Sequence, residues 1–122
     1  MKLSPAIPQL PMYDISRTEK FYRDVLGFEV KASFPEQNFL MMKRDGAEIH
    51  FLGYSEKEAK QFGSVSSFYI YPESVDKLSE ELRARGAIFR YGPEDKPWGI
   101  YEFQIDDPCG TAVRFGLPSK KK

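Results

Sequence analysis

The chain repeats itself. A residue able to cap a helix stands at Asp14, with Ser16 as the alternative, and again at Ser74, an offset of 60 from Asp14. Gly27 and Gly86 close the two capped segments at an offset of 59. The stretch Asp45-Gly46-Ala47-Glu48-Ile49-His50-Phe51 matches Cys109-Gly110-Thr111-Ala112-Val113-Arg114-Phe115 at an offset of 64. Between cap and glycine the apolar residues keep a helical period: Phe21 and Val25 with Tyr22 and Leu26, then Val75, Leu78 and Leu82. A short oxygen-bearing side chain satisfies the free N–H groups of a first turn, and glycine accepts the left-handed exit. Helices are expected over residues 16–26 and 74–85. A repeat of this length is too long for a short-repeat solenoid.

Strand-like pieces surround both helices, at residues 6–12, 28–34, 39–43, 48–53, 66–71, 87–91, 101–106 and 111–117. Turns at Arg44-Asp45-Gly46 and Asp107-Pro108-Cys109-Gly110 join two of the pairs as hairpins. Pro8 and Pro11 demote the first strand to an edge or a hinge. Residues 56–61 read as a short linking helix. The expected class is α+β, two tandem βαβββ modules over residues 1–62 and 63–122 of a single domain. One helix per four strands leaves a sheet face bare, so the modules are expected to pair around a shared cavity.

The 122 residues suffice for one domain. Lys plus Arg equals Asp plus Glu at 18 each, without the basic excess of a nucleic-acid binder. No apolar run approaches the roughly 20 residues of a membrane span. The single cysteine can form neither an internal disulfide nor a zinc cluster. The expectation is a soluble, cytoplasmic protein with no membrane or nucleic-acid partner and no cofactor.

Particular residues then point to a family. Ile7-Pro8-Gln9-Leu10-Pro11, Asp14, Phe21-Tyr22 and Leu26-Gly27-Phe28 resemble the opening of the vicinal oxygen chelate superfamily. Pro97-Trp98-Gly99, Glu102-Phe103, Asp107-Pro108 and Gly110-Thr111 resemble its closing strands, and the combination is most similar to the bleomycin-resistance branch. The resemblance implies mixed sheets curved around a cavity and a homodimer that exchanges its first strand.

The superfamily's metal enzymes (glyoxalases, extradiol dioxygenases, fosfomycin-modifying transferases) hold a divalent ion at four equivalent strand positions. Here those fall on Ile7, His50, Ser67 (or Ser66) and Arg114. Only His50 suits a metal: Ile7 has no donor atom, and the Arg114 guanidinium has no lone pair. A catalytic metal usually needs about three protein ligands, so the site reads as lost.

In the resistance proteins flat aromatic side chains hold the drug between two subunits. That resemblance assigns the role to Phe34, Phe39, Tyr69 and Trp98. Strand alternation adds Tyr71 if Tyr69 faces the cavity, and the resemblance implies that His50 and Arg114 face it too. Each has a structural alternative. His50 can be satisfied by a neighbouring side chain. Arg114 can bind an anionic or carbonyl group, or pair with Glu48 or Glu102. Phe34 and Phe39 can staple a loop or an interface. Asp106 and Asp107, adjacent on a strand, point to opposite faces and do not form an acid–base pair. Cys109 has no activating histidine nearby and reads as inert.

The expected function is antibiotic binding without catalysis: a bleomycin-like or other planar aromatic molecule sequestered in a dimer-interface crevice. The alternative is a metal-dependent lyase, transferase or dioxygenase using His50 with Glu48 or Glu102.

Overall fold

The computed structural model describes residues 1–120. Lys121 and Lys122 of the basic tail lie outside the described residues.

Two four-stranded sheets repeat one topology. β1 (Gln9–Met12), β2 (Glu29–Phe34), β3 (Phe39–Arg44) and β4 (Ala47–Gly53) are ordered β1-β4-β3-β2. β5 (Ser67–Ile70), β6 (Tyr91–Asp95), β7 (Ile100–Asp106) and β8 (Ala112–Pro118) are ordered β5-β8-β7-β6. The first strand of each module runs parallel to its last, and the remaining pairs are antiparallel.

Of the two candidate caps of the first helix Asp14 is the one used, and Ser74 caps the second as expected. Asp14 accepts from the Arg17 N–H at 3.1 Å and opens α1 (Ile15–Lys20), which continues as a π-helical turn over Phe21–Val25. Ser74 accepts from the Lys77 N–H at 3.2 Å and opens α3 (Val75–Ala84). Gly27 at φ 76° and Gly86 at φ 91° take the left-handed exit, which glycine adopts without a Cβ penalty. α2 (Glu56–Gly63), capped by Ser55, links the modules and packs on β1. Among the described residues no helix is long and apolar enough to cross a membrane.

Alternation then decides what is buried. Leu40, Met42, Ile49 and Phe51 from one sheet, and Phe103, Ile105, Val113 and Phe115 from the other, join Tyr22, Leu26, Val75 and Leu82 from the helical segments in one core. Each such side chain contributes roughly 1.5–3 kcal/mol by leaving water. The Phe103 ring stacks on Phe89 at 4.7 Å and on Phe115 at 5.1 Å. Polar bonds tie the modules across this core. Tyr22 Oη donates to Asp107 Oδ2 at 2.8 Å, and Arg44 Nη2 to Glu81 Oε1 at 2.7 Å. Asp107 also accepts from the N–H groups of Cys109 and Thr111. Burial raises its carboxyl pKa, outweighing these hydrogen bonds.

Two expectations need correction. The sheets do not curve around a shared cavity. Each is an open layer with two free edges, β1 and β2 or β5 and β6. Their helix-bearing faces meet in the common core, so the uncovered faces look away from it. Within the single chain β1 pairs with β4, Gln9 opposite His50 and Met12 opposite Gly53. Finally, residues 87–90 form no strand, and β6 begins at Tyr91. β6 contains Pro93, which an edge strand tolerates because it lacks a partner on one side.

Candidate ligand-binding faces

On the second sheet, Glu102 alternates with Phe103 along β7, so its side chain leaves the core toward the uncovered face. It is nonetheless 0% exposed, because three aromatic side chains close over it. Tyr69 Oη donates to Glu102 Oε1 at 2.8 Å, Trp98 Nε1 to the same oxygen at 2.7 Å, and Tyr91 Oη to Oε2 at 2.5 Å. Trp98 Nε1 also lies 3.2 Å from Tyr69 Oη.

The donors come from β5, β6 and the turn before β7. That turn is closed by Lys96 N–H donating to the Ile100 carbonyl at 2.9 Å and Gly99 N–H to the Lys96 carbonyl at 3.0 Å. Each ring is thus fixed by its polar atom, and those of Trp98 and Tyr69 keep much of their surface in solvent. Trp98 is 57% exposed and Tyr69 36%. Tyr71, 59% exposed, meets Tyr69 edge-on with ring centroids 6.3 Å apart.

The electrostatics follow from these bonds. Burial pushes the Glu102 carboxyl up. Hydrogen bonds from Tyr91, Tyr69 and Trp98, with the charge of Arg114, outweigh it and hold the pKa below the usual carboxylate range. Burial, followed by the bond to Glu102, raises the pKa of Tyr69 and Tyr91. A neutral-donor cage therefore holds an ionised carboxylate. Lys96 Nζ stands 3.9 Å from the Tyr91 ring centroid and bonds Glu94 at 3.0 Å. Arg114 on β8 makes neither expected ion pair. Its Nε donates to Gln104 Oε1 at 3.1 Å, and its guanidinium lies 5.8 Å from the Tyr69 ring centroid.

The first sheet's uncovered face carries a different set. His50 Nε2 lies 2.5 Å from Glu48 Oε2, and Lys31 Nζ donates to Glu48 Oε1 at 2.7 Å. The hydrogen bond from Lys31, then that from His50, lowers the Glu48 pKa. The Phe39 ring meets the His50 ring edge-on at 5.5 Å. Phe34 pairs with Phe39 across β2 and β3 and is 45% exposed.

The structure therefore divides the candidate residues between two faces. Phe34, Phe39 and His50 lie on the first sheet. Tyr69, Tyr71, Trp98 and Arg114 lie on or beside the second, and one chain does not bring the two groups together. Tyr91 and Gln104 escaped the sequence reading. Gln104 was legible in the alternation Glu102-Phe103-Gln104-Ile105. Tyr91 was hidden by the misplaced strand.

The four superfamily metal positions do not fit an ion. Ile7 precedes β1 in an exposed lead-in, Ser67 brings only a hydroxyl, and Arg114 brings a cation. The remaining ring, His50, shares its Nε2 with Glu48. No group of three or more His, Cys, Asp or Glu side chains able to hold a metal occurs among the described residues. Cys109 is buried, and desolvation together with Asp107 pushes its thiol to about 11. A groove of about 370 Å³ runs between the first helical segment, at Phe21 and Val25, and the Asp106–Pro108 turn.

Residues 8–115 match the Glyoxalase/Bleomycin resistance protein/Dioxygenase superfamily. No curated protein matches the chain in sequence. Among solved structures, a bleomycin-binding protein from the bleomycin-producing Streptomyces verticillus, complexed with copper(II)-bleomycin, is similar at 25% identity. Its TM-score is 0.80, and the match covers 99% of each chain. A bleomycin resistance determinant encoded on the transposon Tn5 aligns at 19% identity and TM-score 0.79, over 98% of this chain and 100% of that one. A glyoxalase/bleomycin resistance protein/dioxygenase from Nocardioides aligns at 20% identity and TM-score 0.74, over 100% of this chain and 89% of that one.

Proposed function

The chain belongs to the glyoxalase/bleomycin resistance protein/dioxygenase superfamily, and from that membership we propose that it sequesters a planar, antibiotic-like aromatic molecule without transforming it. The observation that carries the reading is the caged Glu102. It anchors Tyr69, Tyr91 and Trp98 by their polar atoms, so the rings need little further ordering when a ligand arrives. Each stacked ring contributes roughly 0.5–1.5 kcal/mol beyond the area it buries. The bleomycin complex of a similar protein supports the ligand class.

The same reading includes a homodimer acting in the cytoplasm. In it the Phe34, Phe39 and His50 face of one protomer stands opposite the Tyr69, Tyr71, Trp98 and Arg114 face of the other, making two equivalent crevices. Each chain is a single domain with modules at 1–62 and 63–122.

Calorimetric titration with copper-loaded bleomycin, metal-free bleomycin and a planar peptide antibiotic tests the proposal. Saturation at one ligand per crevice is expected, with quenching of Trp98 fluorescence, weaker binding by Trp98→Ala and recovery of the ligand unchanged. Neither heat nor quenching with any of the three, or a chemically altered ligand, overturns it. Light scattering should find a dimer at micromolar concentration.

A further inference from the structure

Beside the Tyr69 ring, the uncovered face of the second sheet holds a groove of about 310 Å³. Arg114 lies at its wall, with Ser67, Gln104, Arg90 and Asp106 around it. A chain of hydrogen bonds fixes the guanidinium. Arg90 Nε donates to Asp106 Oδ2 at 2.5 Å, and Arg90 Nη2 bonds the same oxygen. Gln104 Nε2 donates to Asp106 Oδ1 at 2.8 Å. That bond orients the amide, turning Gln104 Oε1 toward Arg114, where it accepts from Nε at 3.1 Å.

Arg114 is thus held by its Nε edge. Among the described residues its two Nη groups have no acceptor, and the Ser67 hydroxyl has no partner. Ser67 stands opposite Ala112 in the β5–β8 register, and the small alanine leaves room beside it. The charges lining the groove are two arginines against Asp106, an excess of one positive. The nearby Glu102 does not cancel this for a ligand, because it is buried and accepts from three donors.

A planar guanidinium fork matches the two oxygens of a carboxylate. We propose that this groove is a carboxylate subsite. Arg114 receives the acid group of an aromatic ligand whose ring system lies against Tyr69 and Trp98. This inference rests on the sequestration reading and adds a preference for aromatic acids over otherwise matched neutral or cationic ligands.

Three matched probes test it: 9-anthracenecarboxylate, the neutral 9-anthracenecarboxamide, and 9-anthracenemethylamine as its ammonium. Trp98 quenching should report binding of the carboxylate at least tenfold tighter than the amide, with the ammonium weakest. Arg114→Met should abolish the preference for carboxylate over amide. Arg114→Lys, which keeps the charge but not the fork, should retain only part of it. Benzoate, too small to span the aromatic faces, tests the groove alone: it should shift the Arg114 Nε–Hε resonance of the unmodified protein.

If the anthracenes bind without charge preference and benzoate leaves that resonance unmoved, the subsite is overturned and sequestration stands. If benzoate moves the resonance but no anthracene binds, the subsite stands and sequestration of planar ligands falls. Silence from all four probes overturns both.

Discussion

Replacing Glu102 by Gln preserves shape and removes charge. The carboxylate accepts from Tyr69, Trp98 and Tyr91 at 2.8, 2.7 and 2.5 Å. The amide oxygen can keep the first two bonds, as neutral ones. The new NH₂ then faces Tyr91, whose hydroxyl must turn to accept. Each bond to a charged acceptor contributes about 1 kcal/mol more than its neutral counterpart, so three weakened bonds sum to about 3 kcal/mol. Relief from burying a charge offsets part of this. The lowered Glu102 pKa shows that the donors win in the folded state. The net loss should be on the order of 1–2 kcal/mol at pH 7.

The pH dependence identifies the cause. Unfolded glutamate titrates near 4.3, and the folded group titrates lower, so the stabilisation is complete above about pH 5.5. It is lost as pH falls through the folded pKa. Asp107, with its raised pKa, contributes in the opposite direction, but it is common to both proteins and cancels in their difference. Urea unfolding at fixed protein concentration should show unmodified protein and Glu102→Gln converging from about pH 5 downward. Curves that stay parallel from pH 7 to pH 3, or a variant more stable at pH 7, would mean that the Glu102 charge does not stabilise the fold.

Other outcomes follow from single contacts. Tyr22→Phe removes the hydroxyl that reaches Asp107 across the modules, and should cost about 1–3 kcal/mol in urea unfolding. A Cβ on Gly63 would lie 2.0 Å from the Cys109 carbonyl oxygen, whereas one on Gly46 meets nothing within 4 Å. Thermal melts should therefore show Gly63→Ala several degrees lower and Gly46→Ala nearly unchanged. With its thiol buried and pushed to about 11, native Cys109 should react with iodoacetamide at pH 8 only as fast as the protein opens; labelling at the rate of a free thiol contradicts the assignment.

The local elements were legible because their signals are local. Asp14 and Ser74 each make the cap bond their side chains allow, and Gly27 and Gly86 each take the positive φ expected of a helix exit. Leu40, Met42, Ile49 and Phe51 are buried as strand alternation requires. The strand expected at 87–91 failed because Phe89 is apolar for a different reason: its ring stacks on Phe103 from an irregular segment. The true strand, Tyr91–Asp95, carries Gly, Pro, Glu and Asp, which disguise it. It forms because β7 supplies a pairing edge, a tertiary fact that no window of sequence contains.

Which way the bare faces look was equally beyond alternation. The pattern Glu102-Phe103-Gln104-Ile105 says that two side chains leave the core, not what awaits them. That is decided by how the modules dock. Tyr22 reaches Asp107, Arg44 reaches Glu81, and the core side chains of both sheets gather with the helices between them. Folding the two uncovered faces of one chain onto each other would break those bonds and expose Phe51 and Phe103, both 0% exposed. At roughly 1.5–3 kcal/mol for each large side chain returned to water, a few such residues already rival a domain's total stability. A single protomer therefore keeps Phe39 and His50 apart from Tyr69 and Trp98, and an opposing wall for either set must come from another molecule.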